Sequence, residues 1–150
     1  MVKVITFIKR KAGMPVEEFQ GYWLTRHPGV VTRLPGVRRY VQSHALLSLY
    51  EKSEPAYDGI AEVWADDTGA LRAMTQSPAH ADVQTDEARF IDRTTMGVII
   101  TEDHVTKDGE LPREPVKSVR SSPASRVSPS KSFNGTGSRS TDPSRKACRV

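Results

Sequence analysis

The sequence predicts an α+β domain with its elements in the order βαββαβ, a four-stranded antiparallel sheet with helices on one face. Three observations predict it. Residues rich in Val, Ile, Thr and aromatic side chains fill 2–9, 37–49, 57–65 and 98–105. Apolar residues recur every three or four positions after the first and third of these runs. All periodicity then stops near position 106.

The first strand, 2–9, ends at Lys11-Ala12-Gly13. Met14-Pro15 opens a helix, with Pro near its first turn and Glu17 and Glu18 where the helix dipole is positive. Val16, Phe19, Trp23, His27 and Val30 share its apolar stripe. Pro28 lacks a backbone donor and crowds the preceding turn, so the helix should pause at His27 before a second segment reaching about Leu34. Pro35-Gly36 is a turn into the second strand, 37–49, which sets Arg38, Tyr40, Gln42 and His44 on one face. A charged connection containing Pro55 leads to the third strand, 57–65, where Asp58, Ile60, Glu62 and Trp64 share a face. Asp66 or Asp67 can cap the next helix, which carries Leu71 and Met74, and Pro78 starts a further helical piece to about Phe90. The run 98–105 is the fourth strand. Two βαβ halves joined between strands 2 and 3 describe a ferredoxin-like fold. The helix-free sheet face then needs a cover, and pairing of two such sheets in a homodimer is the expected one.

Charge divides the chain at the same place. Residues 1–106 hold 12 Lys and Arg against 14 Asp and Glu, which leaves 10 and 4 of the chain's 22 and 18 for the remainder. The domain is thus near −2 and the tail near +6. The basic excess behind the chain pI of 9.4 lies in the tail, so nucleic acid is not expected as a partner of the domain. Residues 107–150 contain ten Ser and five Pro with few large apolar side chains, a basic Ser/Arg/Pro-rich composition expected to stay disordered. The single cysteine, Cys148, allows no intrachain disulfide, and the short apolar stretch at the N-terminus is interrupted by Lys3 and Lys9. A cytoplasmic protein with no membrane segment is expected.

No P-loop, Rossmann glycine pattern, zinc spacing or nucleophile elbow occurs. What remains is a set of histidines and carboxylates. If the helix-facing side of the sheet carries Tyr40, His44, Glu62 and Trp64, these converge with His27 around one partly apolar pocket. Such a group suits proton transfer at carbon: an imidazole moves the proton and a second donor steadies the developing enolate or phenolate. Neither a metal nor a cofactor is required. The expected catalytic set is therefore His27, His44, Glu62 and Tyr40, with Arg38 or Arg39 as the partner of a buried Glu62. Trp23, Trp64, Phe90 and Asp58 are the expected substrate-binding residues, although the aromatic ones also fit a plain core, and His27 could equally be a core histidine beside the Pro28 pause.

The segments Phe19 to Trp23, His27-Pro28, Leu34-Pro35-Gly36-Val37-Arg38-Arg39-Tyr40-Val41-Gln42-Ser43-His44, Tyr57-Asp58-Gly59-Ile60-Ala61-Glu62-Val63-Trp64, Phe90-Ile91-Asp92 and Thr101-Glu102-Asp103-His104-Val105 together resemble the EthD family over residues 1–106. The resemblance implies a dimeric α+β barrel built from two ferredoxin-like sheets. It also implies company with small cofactor-free enzymes: muconolactone isomerases, polyketide decarboxylases and dehydratases, and quinol-forming oxygenases. His27 matches the place of the helix 1 histidine implicated in methylmuconolactone isomerases, whereas Val63 stands where those enzymes have a strand 3 cysteine.

Three functional readings follow. One is a cofactor-independent lyase or isomerase acting on a small aromatic, polyketide or lactone metabolite, with His27 as acid/base. The second is a cofactor-free oxidoreductase or monooxygenase on a phenolic substrate. The third is a non-catalytic accessory or haem-binding protein of a catabolic or biosynthetic cluster.

Overall fold

Four strands, β1 (Val2–Ile8), β2 (Arg39–His44), β3 (Gly59–Ala65) and β4 (Gly97–Thr101), form one sheet in the order β2-β3-β1-β4, with every neighbouring pair antiparallel. The computed structural model describes residues 1–110 and 117–119. Its helices are α1 (Val16–Thr25), α2 (Pro28–Val31), α3 (Leu47–Tyr50), α4 (Thr68–Gln76) and α5 (Pro78–Phe90). Apart from α3, a single turn inside the β2–β3 connection, this is the predicted βαββαβ order and a ferredoxin-like fold. Among the described residues, no helix is long and apolar enough to cross a membrane.

Local chemistry accounts for the boundaries. Helix α1 starts after Pro15 with Glu17 and Glu18 in its first turn. It ends at Thr25, and Pro28 at the first position of α2 restarts the helix, so His27 sits at the junction as expected. Asp67 rather than Asp66 caps α4, accepting from the Ala70 N–H at 2.8 Å, while Asp66 pairs with Arg38 at 2.5 Å.

The second strand is shorter than the expected 37–49. Its partner β3 ends its register at Gly59 opposite His44, so beyond Ala45 no neighbouring strand is left to take up backbone hydrogen bonds. Residues 47–50 satisfy themselves by coiling into α3 instead. The fourth strand likewise stops at Thr101 rather than 105, where its pairing with Lys3 ends.

Register fixes which residues face the helices. Tyr40 lies opposite Val63, which lies opposite Val4, which lies opposite Ile100, and all four share the helix-facing side. That side of β3 is small, with Gly59, Ala61, Val63 and Ala65, and it receives the large rings of α1 and α5. Phe19, Trp23 and Phe90 pack there with Ile8, Ala61 and Ile91, while Val2, Val31, Leu34, Leu71, Met74 and Val83 fill a second cluster. At Gly59 the Trp23 ring comes so close that a Cβ would lie 2.7 Å from its Cη2 and 2.7 Å from the Ser43 carbonyl oxygen. Gly59→Ala is therefore expected to destabilise the domain by about 1–3 kcal/mol, measured as a lower urea midpoint with unchanged slope.

Among the described residues, no helix lies on the opposite face. Ile5, Phe7, Val41, Ile60 and Ile99 lie on it around Glu62. Glu62 is almost fully buried and pairs with Lys3 at 3.0 Å and with Lys117. The partner expected from Arg38 or Arg39 is thus supplied by lysines, because Arg38 turns to Asp66 and Arg39 stacks over the Trp64 ring. The compact unit holding all these elements runs from Met1 to Lys117. A second unit, Ser118–Val150, is described only at Ser118 and Val119, both exposed. The expected disorder of 107–150 falls mostly outside the described residues.

Candidate active site

Between the helix-facing side of the sheet and helices α2, α4 and α5 lies a cavity of about 230 Å³. Its polar lining is Thr6, His27, Tyr40, Thr75, His80 and Glu87, and the remainder is aliphatic. Val98 and Ile100 on the edge strand β4 form an exposed part of its wall, at 57% and 61%.

His27 owes its place to the break between α1 and α2. The residue is 3% exposed, with Phe90 edge-on at 5.0 Å between ring centroids and Tyr40 edge-on at 6.4 Å. The imidazole Nδ1 lies 2.8 Å from Asp86 Oδ2, and the Tyr22 hydroxyl donates to Asp86 Oδ1 at 2.6 Å. Burial opposes ionisation of Asp86, but the hydrogen bonds from Tyr22 and then His27 outweigh it and hold the carboxyl below its usual range. Burial holds the His27 pKa below the ordinary 6.5, and the Asp86 hydrogen bond and charge offset this only in part. A neutral imidazole beside an ionised Asp86 carries its proton on Nδ1. Its Nε2 then has a lone pair and no partner among the described residues, and it is not a sealed, unsatisfied atom. The open space it reaches is the cavity.

Tyr40 is prepared in the same way. Trp23 Nε1 donates to its hydroxyl oxygen at 3.2 Å and Gln42 Nε2 donates to it at 3.1 Å. With both lone pairs engaged, the phenol's own O–H is left to donate to whatever occupies the cavity. Burial raises the Tyr40 pKa, with Gln42 and Trp23 pulling the other way, so it remains a protonated donor at neutral pH.

The remaining expected site residues are distributed differently. His44 shares the face of Tyr40 but does not line the cavity: its ring stacks 4.3 Å from Trp23, and its Nε2 lies 3.2 Å from Gln42 Oε1. It reaches Tyr40 only indirectly, through Gln42 and Trp23. Trp23 and Phe90, both fully buried, lie behind Tyr40 and His27 as supports rather than walls. Glu62 and Trp64 do not join the pocket, which corrects the expected convergence. Glu62 lies opposite Val41 and Trp64 opposite Arg39, so strand alternation puts both on the helix-free face. Asp58 is fully buried ahead of β3 and spends its carboxylate on the chain itself. It accepts from the Arg10 backbone N–H at 2.8 Å, from the Arg10 guanidinium and from the Tyr50 hydroxyl at 2.6 Å. Asp86, Glu87, His80 and Tyr22 were missed by sequence reasoning. The available signal was on α5, where Val83, Asp86 and Phe90 follow helical spacing and set a carboxylate in the apolar stripe.

Among the described residues, no group of three or more His, Cys, Asp or Glu side chains is arranged to hold a metal ion. Chemically, the cavity offers a base at His27, a neutral hydroxyl donor at Tyr40 and a mostly aliphatic enclosure.

Comparison with known proteins agrees with this architecture. Solved structures of similar fold include an EthD-family protein from Bacillus halodurans, with TM-score 0.57 and 18% identity over 69% of this chain and 99% of that one. A dimeric protein of ferredoxin-like fold from Bacteroides fragilis has TM-score 0.52 and 16% identity over 68% and 95%. SnoaB, a cofactor-independent oxygenase from Streptomyces nogalater, has TM-score 0.51 and 15% identity over 70% and 94%. At these identities the likeness is one of fold. No curated protein matches the chain. The EthD domain matches residues 11–94, more than half of the sequence, and spans α1 through the end of α5 together with His27, Tyr40 and Asp86. The chain belongs to the EthD family.

Proposed function

We propose that the domain is a small cofactor-independent enzyme, of lyase or isomerase type, that moves a proton at a carbon next to a carbonyl or phenol oxygen. One observation carries this reading: His27 is anchored through Nδ1 to Asp86 at 2.8 Å, which leaves its other nitrogen without a partner among the described residues at the wall of a mostly aliphatic cavity. The Nε2 lone pair accepts the proton. The Tyr40 O–H holds the oxygen on which negative charge develops. Asp86 is a positioning residue that selects the tautomer and stabilises the imidazolium as it forms.

The cavity volume lies just below the ~300–1,000 Å³ usual for ligand sites, which suits a molecule of one or two rings. The substrate class is therefore a small aromatic or polyketide-like ketone. A second copy of the chain covers the helix-free face, where Ile99 is exposed and Ile5, Phe7, Val41 and Ile60 are only half-buried. Neighbours of the same fold described as dimeric support this assembly.

The test is hydrogen exchange at carbon. Incubated with α-tetralone in deuterium oxide, the protein is expected to introduce deuterium beside the carbonyl well above the buffer rate, followed by proton NMR. Exchange no faster than in buffer would refute the reading. Sedimentation at twice the 16.6 kDa chain mass would bear out the dimer.

A further inference from the structure

We infer that the helix-free sheet face of an unpaired copy is occupied by the chain's own basic extension, anchored by Lys117 on Glu62, and that this contact competes with a second copy for the same surface. The inference rests on the reading that two copies pair through that face.

Lys117 lies outside every strand and helix, sixteen residues after Thr101 closes β4. Its ammonium donates to Glu62 Oε2, while Lys3 holds Glu62 Oε1 at 3.0 Å. The Glu62 side chain is only 2% exposed, although strand alternation turns it away from the helices. Two lysines thus close over one carboxylate. Burial opposes ionisation of Glu62, but the hydrogen bonds from Lys117 and then Lys3 outweigh it and hold the carboxyl below its usual range. The nearby charges are Arg39, stacked over Trp64, and Asp103, which Lys3 meets at 2.6 Å.

The position of this carboxylate decides what Lys117 excludes. Glu62 is central on the face, with Val41 opposite on one side, Ile5 opposite on the other, and Ile60 and Trp64 two residues away along β3. A second sheet packed face to face stands about 10 Å away, and its side chains fill the space between. Lys117 already reaches into that space. The second copy can cover Glu62 only when Lys117 withdraws. Withdrawal leaves no uncompensated anion behind, because Lys3 belongs to β1 and keeps its pairing with Glu62. Charge favours the contact as well: the extension is near +6 and the domain near −2.

A tethered group acts at high effective concentration, so a modest contact can compete with a separate molecule. Both copies must also open before they pair. A closed-to-open ratio of about three, within reach of a partly exposed ion pair, would therefore raise the dimer dissociation constant by about tenfold or more.

The test is sedimentation of full-length proteins over a concentration series. Lys117→Glu sets two carboxylates against each other and should tighten the dimer by about tenfold, whereas Lys117→Arg keeps the cation and should leave it unchanged. Lys107→Glu makes the same change in net charge at an exposed position and should also leave it unchanged. An unaltered dissociation constant in Lys117→Glu would overturn the proposal. So would a weaker dimer, which would make Lys117 a bridge between copies, or equal tightening by Lys107→Glu, which would make the effect one of net charge. Failure of the underlying reading looks different: a dimer that survives Val41→Lys, a charge placed on the helix-free face, would put the second copy on another surface.

Discussion

His27→Gln is expected to lower deuterium exchange on α-tetralone by about 10²- to 10⁴-fold, the range for removing a general base. Gln can still donate to Asp86, so the buried carboxylate keeps a partner and the domain stays folded. The direction of the pH dependence follows from burial. Protonation of Nε2 abolishes the base, and the imidazole pKa lies below 6.5, so the acid limb of the unaltered protein should have its midpoint on the acid side of that value. Asp86→Asn removes the anion that fixes the tautomer. It should reduce the rate and alter this limb while leaving ligand affinity comparatively unchanged, a pattern that a purely structural role would not produce.

Asp58→Ala is the change expected to cost most in stability, about 3–5 kcal/mol, because it leaves buried groups without their counter-charge. Asp58 is fully buried and gathers the Arg10 backbone N–H, the Arg10 guanidinium and the Tyr50 hydroxyl, with Lys9 at 3.5 Å. The same contacts tie the end of β1 to the α3 connection and to the start of β3. Urea unfolding should therefore show a large fall in midpoint, and thermal unfolding an earlier transition. The folded fraction at low temperature should retain exchange activity, since Asp58 touches nothing in the cavity. Loss of exchange with unchanged stability would instead place Asp58 in ligand binding.

Much of the fold was legible because its signals are local. Pro28 interrupts a clear amphipathic stripe, and the structure ends α1 and restarts at α2 around it. Alternation along β2 and β3 correctly grouped Tyr40 with His44 and Glu62 with Trp64. What alternation cannot supply is which group faces the helices, because that depends on the pairing between strands. A one-residue difference in register moves Glu62 from the cavity to the far face. Composition held a clue: Gly59 and Ala61 are small enough to lie beneath Trp23 and Phe19, whereas Ile60, Glu62 and Trp64 are not. The end of β2 was misjudged for a related reason. Residues 45–49 are apolar enough for a strand but have no partner there.

Of the residues around the cavity, His27 and Tyr40 were legible in the sequence, and the groups that contact them were not. His27 announces itself by lying on an apolar stripe before a proline. Asp86 becomes its partner only through the packing of α5 against α2, a contact 59 residues apart in sequence. The two carboxyls at 86 and 87 look alike in sequence, yet helical geometry turns one to the imidazole and sets the other in the cavity lining. His44 shows the reverse: a histidine on the same face as Tyr40, two strand repeats farther along and outside the cavity, and engaged with Trp23 instead.

The central claim is that His27 is a neutral imidazole, protonated on Nδ1, with Nε2 presented to a ligand. Nitrogen NMR of protein labelled in its histidine rings tests this most directly. At neutral pH the His27 signals should be those of the neutral Nδ1–H tautomer, and the Nε2 resonance should move when α-naphthol fills the cavity. An imidazolium at neutral pH, an Nε2–H tautomer, or an Nε2 signal indifferent to α-naphthol would contradict it.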